Sequence, residues 1–166
     1  MSPLYYLNVT VHVLAALIWL GGMFFVGLVG APVFRSIESA SLRQQLFHEL
    51  GVRFRTVGWV CIALLLLSGV GNLHFRGLLA WDGVLGSATF WASTLGHALA
   101  VKLVSVAIML AVSAVHDFWL GPAAGRLEAG TAAAVALRRR AALLARINAI
   151  VGVIVLIAAV QLVRGG

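Results

Sequence analysis

Twelve lysine and arginine side chains and five histidines stand against five carboxylates in this chain, so the groups able to do chemistry are mainly nitrogen and sulfur donors. His12, His74, His97 and His116 fall within or at the edge of strongly apolar runs, as do Lys102, Met23, Met109 and the single cysteine, Cys61. Neutral imidazole is the commonest metal ligand and thioether sulfur suits soft cations, so this donor set points to a transition metal or a haem iron. Two imidazoles facing each other across a gap would suit a six-coordinate haem, and three around a point would suit copper. No G-x-S-x-G, CxxC, phosphate-loop or dinucleotide pattern occurs, which leaves hydrolase, thiol-redox and nucleotide chemistry without support. His48 lies in a polar stretch and is expected at the surface. Cys61 cannot form an internal disulfide and is expected to pack as an apolar residue.

The elements that must position these side chains follow from composition. Of 166 residues, 62% are hydrophobic and only 10% charged, with a mean hydropathy of +1.05. A soluble domain carries about a quarter charged residues, because its surface faces water. Lipid is therefore the expected solvent for most of this surface. About 20 apolar residues in a helix cross the ~30 Å hydrocarbon core. Four segments reach that length, at about Leu4 to Gly30, Val57 to Phe75, His97 to Leu120 and Leu143 to Val163. Backbone polar groups in lipid must be satisfied within the segment, so these are expected to be helices. Pro32 is expected to end the first and Pro122 the third. The fold class predicted is all-α: an integral membrane four-helix bundle forming one domain over residues 1–166. The first run lacks a basic leader and is too long for a signal peptide, so no cleavage is expected.

Charge sets the expected orientation. Arg35, Arg43, Arg53 and Arg55 lie between spans one and two, and Arg126, Arg138, Arg139 and Arg140 between spans three and four. The opposite side has Arg76 and Arg164. Short basic loops stay cytoplasmic, so both termini are predicted on the outer, periplasmic side of a bacterial-type cytoplasmic membrane. The net charge of +7 is a topology signal on this reading, and nucleic acid is not an expected partner. Ser36 to Thr56 is expected as an amphipathic cytoplasmic helix, and the Ala-rich stretch after Pro122 as an inward extension of the fourth span. Leu78 to Leu95, with Trp81, Phe90 and Trp91, reads as an outer interfacial segment. No internal repeat is legible.

Depth then sorts the donors. At ~1.5 Å per residue, His12 and Lys102 both sit about 9 to 12 Å below the outer surface. His74 and His97 lie above them, and three helices thus bring histidines to the outer half. His12, His74 and His97 are the predicted metal ligands, and His12, His74, His97, Lys102 and His116 the predicted cofactor-binding set. An intramembrane lysine needs an anion, a carbonyl or a watery cavity. In span three Lys102, Met109 and His116 recur every seven residues, with Ser105 and Ser113 close to the same face. In span one Asn8, His12, Trp19 and Met23 share a face. Two such stripes could form a copper path, although methionine at helical spacing is commonly core filler. Small residues at Gly21, Gly22, Gly69, Gly71, Ala158 and Ala159 are expected to let helices approach closely.

Three stretches carry a family resemblance: His12 to Phe24, with Trp19, Gly21, Gly22 and Met23; Arg53-Phe-Arg55-Thr-Val-Gly58-Trp59 leading to Gly69-Val-Gly71-Asn72; and Lys102 followed by His116-Asp117-Phe. Together they resemble the CopD copper-resistance membrane domain. More widely they are similar to HemJ-type protoporphyrinogen oxidases, small haem b proteins with a first-span His and Trp and a third-span Lys and His. The first resemblance implies copper as the bound metal, in copper homeostasis or transport. The second implies haem b at His12, Trp19, Lys102 and His116, with electron transfer or porphyrinogen oxidation. A third reading is an accessory membrane subunit whose polar residues only fix helix packing. The expected partners are the lipid bilayer and copper or haem, with self-association and a redox partner left open.

Overall fold

The computed structural model describes residues 2–79, 84–128 and 130–164, and every regular element among them is helical. Four helices are long and apolar enough to cross a membrane: α1 (Pro3–Arg35), α2 (Ala40–Phe75), α3 (Thr94–Gly125) and α4 (Ala132–Arg164). Each opens on a hydroxyl cap. Ser2 accepts from the Tyr5 amide, Ser39 from Leu42, Ser93 from Gly96 and Thr131 from Ala134, at 3.1 to 3.3 Å. These bonds satisfy amides that an α-helix leaves free in its first turn.

The prolines do not end their helices as the sequence suggested. Val26–Gly30 and His116–Leu120 are π-helical, and the α-helix resumes beyond each, through Pro32 to Arg35 and through Pro122 to Gly125. A proline in a helix clashes with the carbonyl four residues earlier, here Leu28 and Phe118. The wider i to i+5 turn falls on those carbonyls and lets the chain continue. The connections continue the spans: part of the Ala-rich stretch extends the fourth helix inward, as expected. The expected amphipathic helix after Ser36 is fused with the second span into one 36-residue helix, and the fourth helix begins at Ala132. At ~1.5 Å per residue, helices of 32 to 36 residues exceed the ~30 Å hydrocarbon core, so all four project beyond it.

α1 packs most extensively on α2, and α3 on α4, giving two hairpins. Ser2 and Arg164 lie at one end of the bundle, the terminal end. The two connections rich in arginine lie at the other, the arginine end. Trp19 is the wedge between the hairpins. Its indole lies against Gly58 of α2 on one side and Gly152 of α4 on the other, and it is buried with Ala15, Cys61, Ile62 and Met109. A Cβ at Gly58 would sit in ordinary contact with the indole at 3.6 Å, whereas one at Gly152 would crowd Leu20 Cδ1 at 2.8 Å. Leu7, Leu17, Leu28, Leu67, Val104 and Ile150 are all more than half exposed, a surface that only an apolar solvent would cover without cost.

Among its described residues, the connection between α2 and α3 holds a 3-10 turn (Val84–Gly86) and a one-turn helix (Ala88–Trp91). Trp91 folds back on it, its indole NH donating to the Leu85 carbonyl at 2.8 Å. Trp81 lies outside the described residues.

Candidate functional site

Polar side chains collect in two clusters, one towards each end of the bundle. The cluster at the terminal end joins α1 to α2. Asn8 donates through Nδ2 to the Ser68 carbonyl and to Asn72 Oδ1, both at 3.0 Å. His12 Nδ1 meets Ser68 Oγ at 2.8 Å. Helix α2 makes room for both side chains with glycine: Gly71 faces the Asn8 amide and Gly69 faces His12 Cε1. A Cβ at Gly71 would stand 2.6 Å from Asn8 Oδ1, so the close approach needs the missing side chain. Gly21, by contrast, has open space around it and mediates no such approach.

The bond to Ser68 fixes the chemistry of His12. The Ser68 hydroxyl proton is already directed to the Leu64 carbonyl one turn earlier. Ser68 Oγ therefore accepts, and His12 Nδ1 carries the proton. Nε2 then keeps its lone pair, and the Leu65 backbone is a further hydrogen-bond partner of the ring. A histidine oriented through one ring nitrogen with the other free is the arrangement of metal-ligating imidazoles.

Lys102 is half-buried on α3, within electrostatic range of both His12 and Arg76. Arg76 caps α2 and donates to the Leu162 carbonyl of α4 at 3.0 Å. The described acidic residues, Glu38, Glu49, Asp117 and Glu128, all lie towards the arginine end, and Asp82 is outside the described residues. His74 and His97, the other predicted metal ligands, are exposed. His74 stacks edge-on against Phe75. No three of His, Cys, Asp and Glu come together as a metal-holding group among the described residues, so the structure does not gather His12, His74 and His97 around one point.

The cluster towards the arginine end ties the hairpins to each other. Asp117, in the π-helical segment of α3, takes the Trp59 indole NH on Oδ2 at 2.9 Å and pairs with His116 Nδ1 through Oδ1 at 2.8 Å. Arg55 donates to its backbone carbonyl at 3.2 Å. The predicted ligand His116 is thus engaged with its neighbouring carboxylate. Deeper in the bundle, Asn148 of α4 donates to Ser113 Oγ of α3 at 2.8 Å and lies with Nδ2 4.0 Å from the Met23 sulfur of α1. The stripe of α3 seen in the sequence does face inward, since Ser105, Met109 and Ser113 are all buried. Ser68, Trp59 and Asn148 carry much of this polar bonding, and none was assigned a site role from sequence. The available signal was their position: a polar atom within an apolar run needs a partner across the helix interface.

Two surface cavities, one lined by Ser41, Gln44, Gln45, His48 and Gly125 and the other by Ala159, Val160, Val163 and Arg164, touch none of His12, Lys102 or His116.

A protein from Aquifex aeolicus described as uncharacterized is 30% identical over 111 residues. The alignment covers 66% of this chain and 66% of that protein, so the chain matches just under two thirds of the relative's length. No solved structure matches. The family model described as copper resistance protein D, CopD, matches residues 49–162. That span takes in His74, His97, Lys102 and His116 and leaves α1, with His12 and Trp19, outside it. With four helices apolar enough to cross a bilayer and a family match over more than half its length, this chain is a multi-pass membrane protein belonging to the CopD family.

Proposed function

We propose that this protein binds copper within the membrane as part of copper homeostasis, with His12 Nε2 as the principal imidazole ligand. The observation that carries the reading is the Ser68 bond at 2.8 Å, which orients the ring through Nδ1 and so puts the ligating lone pair on Nε2. Family membership supplies the metal, and the half-buried ring supplies the place. On this reading the terminal end faces the periplasm, since the arginine-rich connections stay cytoplasmic. Exposed His74 and His97 at the same end are then positioned to meet copper before it reaches His12. Lys102 and Arg76 keep the neighbourhood cationic, which favours a monovalent ion over a divalent one.

The test is copper binding to the purified chain in mild detergent under reducing conditions, in competition with a chromogenic chelator. His12→Ala is expected to abolish binding at this site. Ser68→Ala is expected to weaken it about tenfold, the low end of what losing a ligand's hydrogen-bond partner costs. Unchanged affinity in His12→Ala would reject the assignment. A Soret band in the visible spectrum that disappears with His12→Ala would replace copper by haem.

A further inference from the structure

Lys102 brings a charge into the bundle that no described residue neutralises. It takes part in no hydrogen bond among the described residues, and the one ion pair found there, His116 with Asp117, lies towards the other end. Asn148 Oδ1 is the only polar side-chain atom among the described residues that is both sealed and unpartnered, so the Lys102 ammonium keeps a path to the outside. Antiparallel register fixes its level. Ser113 of α3 bonds Asn148 of α4, and eleven residues along each helix towards the terminal end bring Lys102 level with Ala159. Arg76 reaches α4 within one turn of that level, at the Leu162 carbonyl, through Nη1 alone. The rest of its guanidinium donors remain for another acceptor.

Depth and surroundings narrow what that acceptor is. α3 has 32 residues, about 48 Å at ~1.5 Å per residue against a ~30 Å hydrocarbon core, so each end overhangs by about 9 Å. Lys102 stands about 12 Å from the start of the helix at Thr94, just inside the hydrocarbon boundary. A lysine at that depth extends its charged head into the headgroup layer. On α4 at the same level, Ala159, Val160, Val163 and Arg164 line a surface groove whose walls are apolar and whose outer rim is cationic. From this arrangement we infer a binding site for an anionic phospholipid, with the headgroup phosphate held by Lys102 and Arg76 and an acyl chain along the groove of Ala159, Val160 and Val163. Phosphate oxygens take several charge-assisted hydrogen bonds, and the planar fork of arginine meets two at once. The apolar wall favours a lipid over a free phosphate ion, which has no part to lay against it. The site does not depend on the copper reading, because its donors are an ammonium and a guanidinium and not His12 Nε2. Asp82, the one carboxylate outside the described residues, is the competing partner for Lys102.

The experiment places the full chain in phosphatidylcholine nanodiscs with rising fractions of phosphatidylglycerol and follows thermal unfolding, with native mass spectrometry counting the lipids retained. A ligand that binds the folded form raises its midpoint, so the wild type is expected to gain stability as phosphatidylglycerol increases and to retain it in the spectrum. Lys102→Met and Arg76→Gln are each expected to weaken this binding about fivefold or more, the scale for one cation at a lipid surface. Lys102→Arg is expected to keep it. In pure phosphatidylcholine Lys102→Met is expected to unfold no earlier than the wild type, since it removes an unpaired charge, and this separates lost binding from lost folding. Arg139→Gln, at the arginine end, is expected to leave the response intact, and an equal loss there would show a general charge effect and reject the site. An equal response to inorganic phosphate overturns the lipid assignment. A wild type indifferent to phosphatidylglycerol, with Asp82→Asn acquiring the response, would make Asp82 the partner of Lys102 and overturn the proposal.

Discussion

The two hairpins are built alike and bonded differently. Each begins with a helix of 32 or 33 residues that carries a π-helical segment just before a proline, and each returns along a helix of 33 or 36 residues. In the first hairpin the polar bonds between its own helices sit near the terminal end, at Asn8, His12, Ser68 and Asn72. In the second they sit further towards the arginine end, at Ser113 and Asn148. The bonds from one hairpin to the other run through Trp59 and Arg55 to Asp117 towards the arginine end, with Arg76 reaching the Leu162 carbonyl at the terminal end. One backbone plan, used twice, therefore carries two polar layers at different depths, with a dry layer of Ala15, Trp19, Cys61, Ile62 and Met109 between them. Apolar side chains gain little by leaving lipid for one another, so close packing and hydrogen bonds decide where helices meet. Shifting the polar residues along a repeated scaffold is thus enough to give its halves different chemistry.

The largest test of this comparison is the wedge that both hairpins share. Trp19→Ala is expected to destabilise the protein by about 3 to 5 kcal/mol, the range for emptying a large aromatic site. Amide exchange should rise in α2 and α4 together, and faster exchange confined to α1 and α2 would show that the wedge serves one hairpin only. A smaller loss is expected for Asp117→Ala, which frees the Trp59 indole and His116 at once, at about 1 to 3 kcal/mol. Trp59 emission should change while the Asn8 layer keeps its exchange protection. The smallest is Asn8→Ala, which removes bonds within the first hairpin. A loss of about 1 kcal/mol, the usual scale for intramembrane hydrogen bonds, is expected in mixed-micelle unfolding, with exchange in α3 and α4 unchanged.

Four spans, the inward stripe of α3 and the shared face of α1 were legible in the sequence because apolar length and helical period are local properties. The run through Pro32 was misread for a local reason too. Proline marks a helix end in most contexts, and nothing in the residues before it announces a π turn that lets the helix go on. The doubled hairpin was hidden because its signature is the geometry of Val26–Gly30 and His116–Leu120, which share almost no residues. At the site, His12 stood out because an imidazole deep in an apolar run is costly. Its partner did not, since Ser68 is one small hydroxyl among leucines and its role depends on which face of α2 turns towards α1. Likewise Asn148 read as a polar residue in the fourth span, and its bond became visible only when Ser113 was placed beside its nitrogen.

The indole at the middle of the bundle has one more effect. Held between two glycines on opposite helices, it couples the spacing of α2 to that of α4, so a shift of either helix is passed to the other through one rigid ring. Such helix shifts run on the order of microseconds to milliseconds, which sets the pace at which the two hairpins can respond to each other.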